Sequence, residues 1–523
     1  MAEQKFSFQK QILPHLLAVL AFIVITFIYF NPLFSGKTLA QHDSIQAKAA
    51  AQEANDHYKK TGKITQWTNS MFGGMPAYLI KADYPNSWTT KAGRFFVGMF
   101  PEPANLVILY LLGFYVLLAS LRINPWLGVL GAIGFAFCSY NFINIEAGHV
   151  SKAIAIAFIP PMLAGALLAF QGKYLLGGAM FGLFLGLNLF GNHVQITYYF
   201  FLSMALLGIF QVIQAIREKT FKNLILATLA LAVGGVLGAG SHASRLLTTS
   251  EYALYSIRGK SELSPRKDAS PEAHSAEGLD KNYAFSYSYG ISETFTLLIP
   301  NFHGGSSSGK LGEKSAVFQA LLNNGQERTQ AKQIISQPLP LYWGDLPFTG
   351  GPAYAGAIML FLFVLGMFIV KNPVKWWLLA SVVLMLMIAW GNNLAFFNYF
   401  MFDYLPLFNK FRAVTMTLTL VQTYIALMAV LAIHELTSRK ITWAEFKNPL
   451  FISFGIVGGL SLIFSVMPGI FFDFASQSDK QMPEWIITAI QEDRASLLQG
   501  DAFRSLFFIT VVAALLWAFV ADK

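Results

Sequence analysis

The sequence predicts an all-α polytopic membrane protein of about twelve transmembrane helices with large extracytoplasmic loops. Three observations predict it. The 523 residues are 55% hydrophobic and 12% charged, about half the charged fraction of a soluble chain, and the mean hydropathy is +0.50. Apolar runs of about 20 residues, the length that crosses a bilayer core, recur along the chain. Basic residues follow every second run, the signature of cytoplasmic loops. Together these exclude a soluble globular protein, a disordered chain and a coiled coil. Cys138 is the single cysteine and lies in an apolar run, so an intrachain disulfide and a Cys-rich metal site are excluded. The formal charge of +9 follows from Lys and Arg on cytoplasmic loops and calls for no nucleic-acid partner.

The first span follows Lys5 and Lys10 and runs from Ile12 to Phe34. It is too long for a signal-peptide core and ends at Asn31-Pro32 without a small-residue cleavage site. Further spans fall at 104–121, 123–140, 153–170, 174–190, 195–213, 223–240, 353–370, 376–391, 413–433, 450–468 and 503–520. With the N-terminus in the cytoplasm, Arg122, Lys173, the Arg217/Lys219/Lys222 group, Lys371 and Lys375, the Arg439/Lys440/Lys447 group and Lys523 all fall inside. Residues 35–103, 241–352, 392–412 and 469–502 then face outside and hold nearly all the polar material. The chain is expected to be a single integral domain over 1–523. Within 241–352, the Ser-, Gly-, Lys- and Glu-rich stretch 260–340 is expected to be a mobile flap rather than a packed domain.

Two motif matches carry no chemistry. Gly304–Lys310 approaches a phosphate loop, but Leu311 stands where magnesium needs Ser or Thr. Gly305–Gly309 fits G-x-S-x-G without a strand-to-helix turn. The first outer loop says more. Gln41-His42-Asp43-Ser44-Ile45-Gln46 opens an Ala-rich helical stretch to Lys60, on which Asp43, Gln46, Glu53 and His57 share a face. For Glu53 and His57 the plain reading is a solvated face. Asp43 at the membrane surface could cap the helix, deprotonate an incoming hydroxyl or hold a divalent cation. The aromatic, Gly-Gly and Pro run Trp67–Tyr78 reads as a tight interfacial loop, continued by Trp88, Phe95, Phe96 and Phe100.

Glu146, His149 and Lys152 lie between the third and fourth spans, close to hydrocarbon, where charge needs a partner or a cavity. Glu146 and Lys152 could neutralise each other, or Lys152 could contact a phosphate. Gly148-His149-Val150-Ser151 is echoed 44 residues later by Asn192-His193-Val194-Gln195, so both histidines should lie at one outer level. His149, His193 and Asp43 could together bind a metal, although no dense ligand motif is present. Arg245 and Arg412 sit at outer span ends against the orientation rule. A lipid phosphate or simple snorkelling accounts for each.

Taken in order, His42-Asp43-Ser44-Ile45-Gln46, Met71–Pro76, Ala147–Lys152, Gly191–Tyr199, and Leu405-Pro406 with Asn409–Arg412 resemble the bacterial YfhO-type membrane proteins. That family is placed among glycosyltransferases of the GT-C fold, and the likeness covers most of the chain. It implies an enzyme of the bacterial cytoplasmic membrane that moves a sugar from a polyprenyl-phosphate carrier to an envelope glycopolymer or glycolipid acceptor on the extracytoplasmic face. It implies that Asp43, in the first outer loop, is the catalytic carboxylate. His42, Gln46, Glu146, His149, Lys152, His193, Gln195, Arg245 and Arg412 are the expected substrate contacts. Ser44 follows Asp43 where the fold family usually has a second acid, so the resemblance names no metal ligand set and leaves a divalent cation open. The resemblance implies that longer members continue beyond the twelfth span, so a short or truncated form is the expectation. The alternative is a transporter or flippase for a lipid-linked or small polar substrate, with a non-catalytic envelope-assembly factor behind it. Transporters build midplane sites on broken helices and inverted repeats, and the sequence shows few mid-span charges and no evident repeat.

Overall fold

The computed structural model describes residues 7–81, 84, 86–259 and 278–521. It is 73% helical and all-α apart from one small hairpin. Six helices are long and apolar enough to cross a membrane, and two broken pairs raise the number to as many as eight. Four shorter apolar helices, Leu13–Tyr29, Ala104–Ser120, Tyr174–Phe190 and Ala357–Ile369, occupy other positions where apolar runs predicted spans. The chain divides into two compact units, where the sequence suggested one domain. The first is Met1–Ala136, Asn144–Lys281 and Asp403–Phe411; the second is Phe137–Ile143, Asn282–Phe402 and Arg412–Lys523.

The first unit begins with α1 (Leu13–Tyr29), then α2 (His42–Ala50) and α3 (Gln52–Thr61). The continuous helix expected from Ser44 to Lys60 is thus interrupted at Ala51. Strands β1 (Trp67–Thr68) and β2 (Met75–Pro76) pair antiparallel, which gives the expected tight loop its form. The Glu53 carboxylate accepts from the Thr68 hydroxyl and the Asn69 amide, so Glu53 pins this hairpin to α3. Helix α4 (Trp88–Gly98) precedes α5 (Ala104–Ser120), α6 (Pro125–Ala136) and α7 (Ser139–Ala147, of which 139–143 count with the second unit). Next come α8 (Val150–Phe170), α9 (Tyr174–Phe190), α10 (Val194–Glu218), α11 (Phe221–Gly240) and α12 (Ala243–Ala253). Helix α8 is the centre of the unit: 94% of its apolar window is buried, packed against α5 and α9.

Helices α9 and α11 meet through small residues spaced four apart, Gly178 and Gly182 against Gly234 and Gly238. A Cβ on Gly182 would sit 2.6 Å from the Gly234 carbonyl oxygen. Close backbone approach of this kind is how helices associate in lipid, where no hydrophobic force drives them together. Gly182→Leu should therefore cost about 1–3 kcal/mol or more by overpacking. The check is thermal unfolding in nanodiscs beside Gly208→Leu, because nothing lies within 4 Å of a Cβ at Gly208.

In the second unit, α13 (Ala316–Asn323) and α14 (Arg328–Ser336) come first. They are followed by α15 (Ala357–Ile369), α16 (Val374–Ala389), α17 (Ala395–Tyr404, of which the last two residues count with the first unit), α18 (Leu418–Ser438), α19 (Trp443–Ser453), α20 (Gly459–Val466) and α21 (Glu484–Ala521). Helix α16 ends in a break at Gly391. There the Asn398 amide donates to the Met387, Gly391 and Leu394 carbonyls, satisfying groups that a broken helix leaves open.

Two expectations need correction here. Residues 260–277 of the expected flap lie outside the described residues, but 278–340 is packed. Val317, Phe318, Leu321, Ala331 and Ile335 form a buried cluster with Ala489 and Ile490 of α21. The last helix begins at Glu484 instead of near 503, so much of the stretch read as an outer loop belongs to one 38-residue helix. Its polar residues hold neighbouring segments of the second unit. Asp493 caps α13 by accepting from the Ala316 and Val317 amides at 2.7 and 3.0 Å. Arg494 pairs with both Asp479 oxygens at 2.7 and 2.8 Å and donates to the Pro340, Leu341 and Phe474 carbonyls.

Candidate functional site

Helix α2 starts with Gln41 as its N-cap residue, and Asp43 lies in the first turn. The N-cap reading of Asp43 is thereby replaced. Gly148, at φ +86, lets the chain between α7 and α8 lie directly on this turn. A Cβ there would stand 2.8 Å from the Ser44 amide nitrogen. The Gln41 side chain donates to the Ile145 carbonyl, and Ser44 Oγ reaches the Gly148 carbonyl at 3.5 Å. This docking carries His149, the residue just before α8, to Asp43.

The result is a continuous polar chain. His149 Nε2 lies 3.0 Å from Asp43 Oδ2. His149 Nδ1 lies 3.1 Å from Lys152 Nζ, and Lys152 Nζ donates to Asn144 Oδ1 at 3.1 Å. An ammonium has only donors, so Nδ1 accepts and the imidazole proton resides on Nε2, facing the carboxylate. Burial and then the Lys152 charge hold the His149 pKa below its ordinary value, against the pull of Asp43. Lys152 is buried, whereas the Asp43 side chain is 52% exposed and open to an incoming group. His42 Nδ1 stands 3.5 Å from Asp43 Oδ1, and Gln46 Nε2 3.4 Å from His42 Nε2.

His193 directly precedes α10, as His149 precedes α8, and both feel the Lys152 charge. Asn188 sets this second corner: its amide donates to the Ala155 carbonyl at 2.7 Å and its oxygen accepts from Thr197 at 2.5 Å. Burial first, and Lys152 second, push the His193 pKa down to about 3. Burial and Arg245 likewise push His242, which meets the Gly186 carbonyl at 2.8 Å, to about 4. An imidazole held neutral in the fold contributes stability above its unfolded pKa of 6.5, and that contribution is lost as pH falls. His193→Asn should therefore lose stability less steeply than wild type between pH 6.5 and 3. Thermal midpoints across that range, compared as a difference, provide the measurement.

The other expected contacts separate. Glu146 is exposed, and Asn144 and His149 are the partners of Lys152 where Glu146 was the expected one. Gln195 donates to Tyr199 Oη at 3.0 Å. Arg245 is 5% exposed and donates to the Leu189 and Phe190 carbonyls at the end of α9, with its guanidinium over Tyr84. That is helix-end capping where a phosphate contact was expected. Arg245→Gln should accordingly lower thermal stability and leave lipid-donor affinity within about twofold, since interactions that stay inside the protein do not enter binding. Arg412 belongs to the second unit, where it donates to Tyr283 Oη and stacks on that ring. Among the described residues no group of three His, Cys, Asp or Glu side chains is placed to hold a metal ion, so Asp43, His149 and His193 do not form the ligand set considered from sequence. Asn144 is the member of the site that sequence reading missed. Its only signal was its place one helical turn and a corner before His149.

No family model, curated protein or solved structure matches the chain.

Proposed function

We propose that this protein is a GT-C-like membrane glycosyltransferase with about twelve spans. It takes a sugar from a polyprenyl-phosphate carrier and passes it to a cell-envelope acceptor on the extracytoplasmic side of the bacterial membrane. The observation that carries the reading is an exposed carboxylate, Asp43, held by a neutral imidazole whose proton is directed at it by a buried lysine. A base so fixed is suited to taking a proton from a hydroxyl. In the reaction the acceptor oxygen bonds to the anomeric carbon as its proton passes to Asp43. The bond from that carbon to the carrier phosphate breaks, and the phosphate leaves with the lipid. The His149 Nε2–H bond keeps one Asp43 oxygen oriented and leaves the other to the acceptor.

Six long helices, two broken pairs and four shorter apolar helices support twelve spans, since they coincide with the twelve apolar runs. Cysteines introduced as Thr220→Cys and Ser307→Cys should label from inside and outside, respectively. The reverse pattern overturns the topology. The test of function is purified protein supplied with a panel of polyprenyl-phosphate sugars and envelope acceptors, read as sugar transferred. The broken pair at Gly391 favours transport as the second reading, because transporters use discontinuous helices. Substrate moved into sealed vesicles without chemical change would decide for it.

A further inference from the structure

The second unit contains a cavity lined by Tyr140, Tyr289, Tyr342, Glu293, Thr296 and His303, among others. Its volume is about 50 Å³, room for a few water-sized groups. Glu293 is 2% exposed. Its carboxylate accepts from the Tyr342 hydroxyl on Oε1, and from the Gly290 amide at 2.7 Å and the Asp345 amide at 3.4 Å on Oε2. A carboxylate offers about four acceptor positions, so Oε1 retains one.

His303 is 5% exposed and meets Ser292 Oγ through Nε2 at 3.0 Å, while its buried Nδ1 has no partner. A buried polar atom left unpaired is costly and calls for an explanation. The ring is fixed in place by Trp343, whose centroid lies 4.0 Å away. The cavity thus offers one fixed acceptor, one fixed imidazole nitrogen and three tyrosine walls.

The lining narrows the chemistry. No Lys or Arg lines the cavity, so an anion finds no countercharge. Its single carboxylate already receives three donors, and no metal-binding group forms among the described residues. What fits is an uncharged molecule with hydroxyls for Glu293 and His303 and C–H faces for the tyrosines. We propose that this cavity binds a small uncharged polyhydroxylated ligand, a polyol or the hydroxyl-bearing edge of a sugar. One ligand hydroxyl donates to Glu293 Oε1 and a second pairs with His303 Nδ1. The proposal does not depend on transfer chemistry at Asp43.

The experiment is calorimetric titration of the full-length protein in nanodiscs with glucose, galactose, N-acetylglucosamine, glycerol and glucuronate. At least one neutral ligand should bind saturably, and glucuronate should not, because its carboxylate would face Glu293. Glu293→Gln and His303→Asn, each checked for an unchanged melting profile, should weaken that binding about tenfold or more. Either variant suffices if the other does not fold. Absence of saturable binding by every neutral ligand in wild type overturns the proposal and leaves the cavity to water. Binding that both folded variants retain at wild-type strength, or glucuronate binding as well as the neutral sugars, overturns it equally.

Discussion

Asp43→Asn should lower sugar transfer by about 10²–10⁴-fold, the usual contribution of a positioned general base. The substitution keeps the shape of the side chain and still accepts from His149 Nε2 through its amide oxygen. It removes only the capacity to take a proton. Donor affinity should stay near wild type, because the carboxylate acts on the acceptor. A folded Asp43→Asn protein that transfers sugar within a few-fold of wild type would sink the assignment of Asp43 as base. His149→Gln offers the companion measurement. It can replace one hydrogen bond but not the relay to Lys152, so its loss should be smaller and confined to kcat if His149 only positions Asp43.

The largest stability effect is expected at the buried Asp479–Arg494 pair. Arg494 is fully buried and the Asp479 side chain is 6% exposed. Removing one partner of such a pair leaves an uncompensated charge, which costs about 3–5 kcal/mol. Asp479→Ala should therefore unfold the layer formed by α13 and α14 well below the wild-type midpoint. The double variant Asp479→Ala/Arg494→Met should recover part of that loss, because an apolar side chain tolerates the site. Denaturant unfolding, with protease cleavage between 305 and 340 as a local probe, distinguishes the two. An Asp479→Ala protein as stable as wild type would show that the three carbonyl contacts of Arg494 suffice by themselves.

The apolar helices were legible because hydropathy is a property of each segment alone, and finding the apolar runs needed no knowledge of their neighbours. The packing of Val317, Phe318, Leu321, Ala331 and Ile335 was not. Their spacing is amphipathic but diluted by Ser, Gly and Lys, and their partners Ala489 and Ile490 lie more than 150 residues away. The same limit hid the start of α21. Asp493, Arg494 and Asp501 read as loop residues until the groups they bind are known. At the site, Asp43, His149 and Lys152 could be nominated from their types and their nearness to span ends. The order of their hydrogen bonds could not, since it depends on Gly148 folding one loop onto another helix. The acceptors of Arg245 could not be foreseen, because they are backbone carbonyls, which every residue possesses and no sequence pattern marks.

Helix α21 has a mechanical consequence. Thirty-eight residues make a rod about 57 Å long, and a hydrocarbon core about 30 Å thick occupies roughly twenty of them. In a bilayer the remaining length would stand clear of the hydrocarbon, and it is bolted to α13 by Asp493 and to the 340–341 segment by Arg494. With no break along its length, such a rod would act as a lever pivoting at the membrane surface. A tilt of about 10° within the bilayer displaces its outer end by about 5 Å, and the helical layer fastened there moves with it. Lipid thickness, one of the influences on helix tilt, would thus be a mechanical input to the layer formed by α13 and α14.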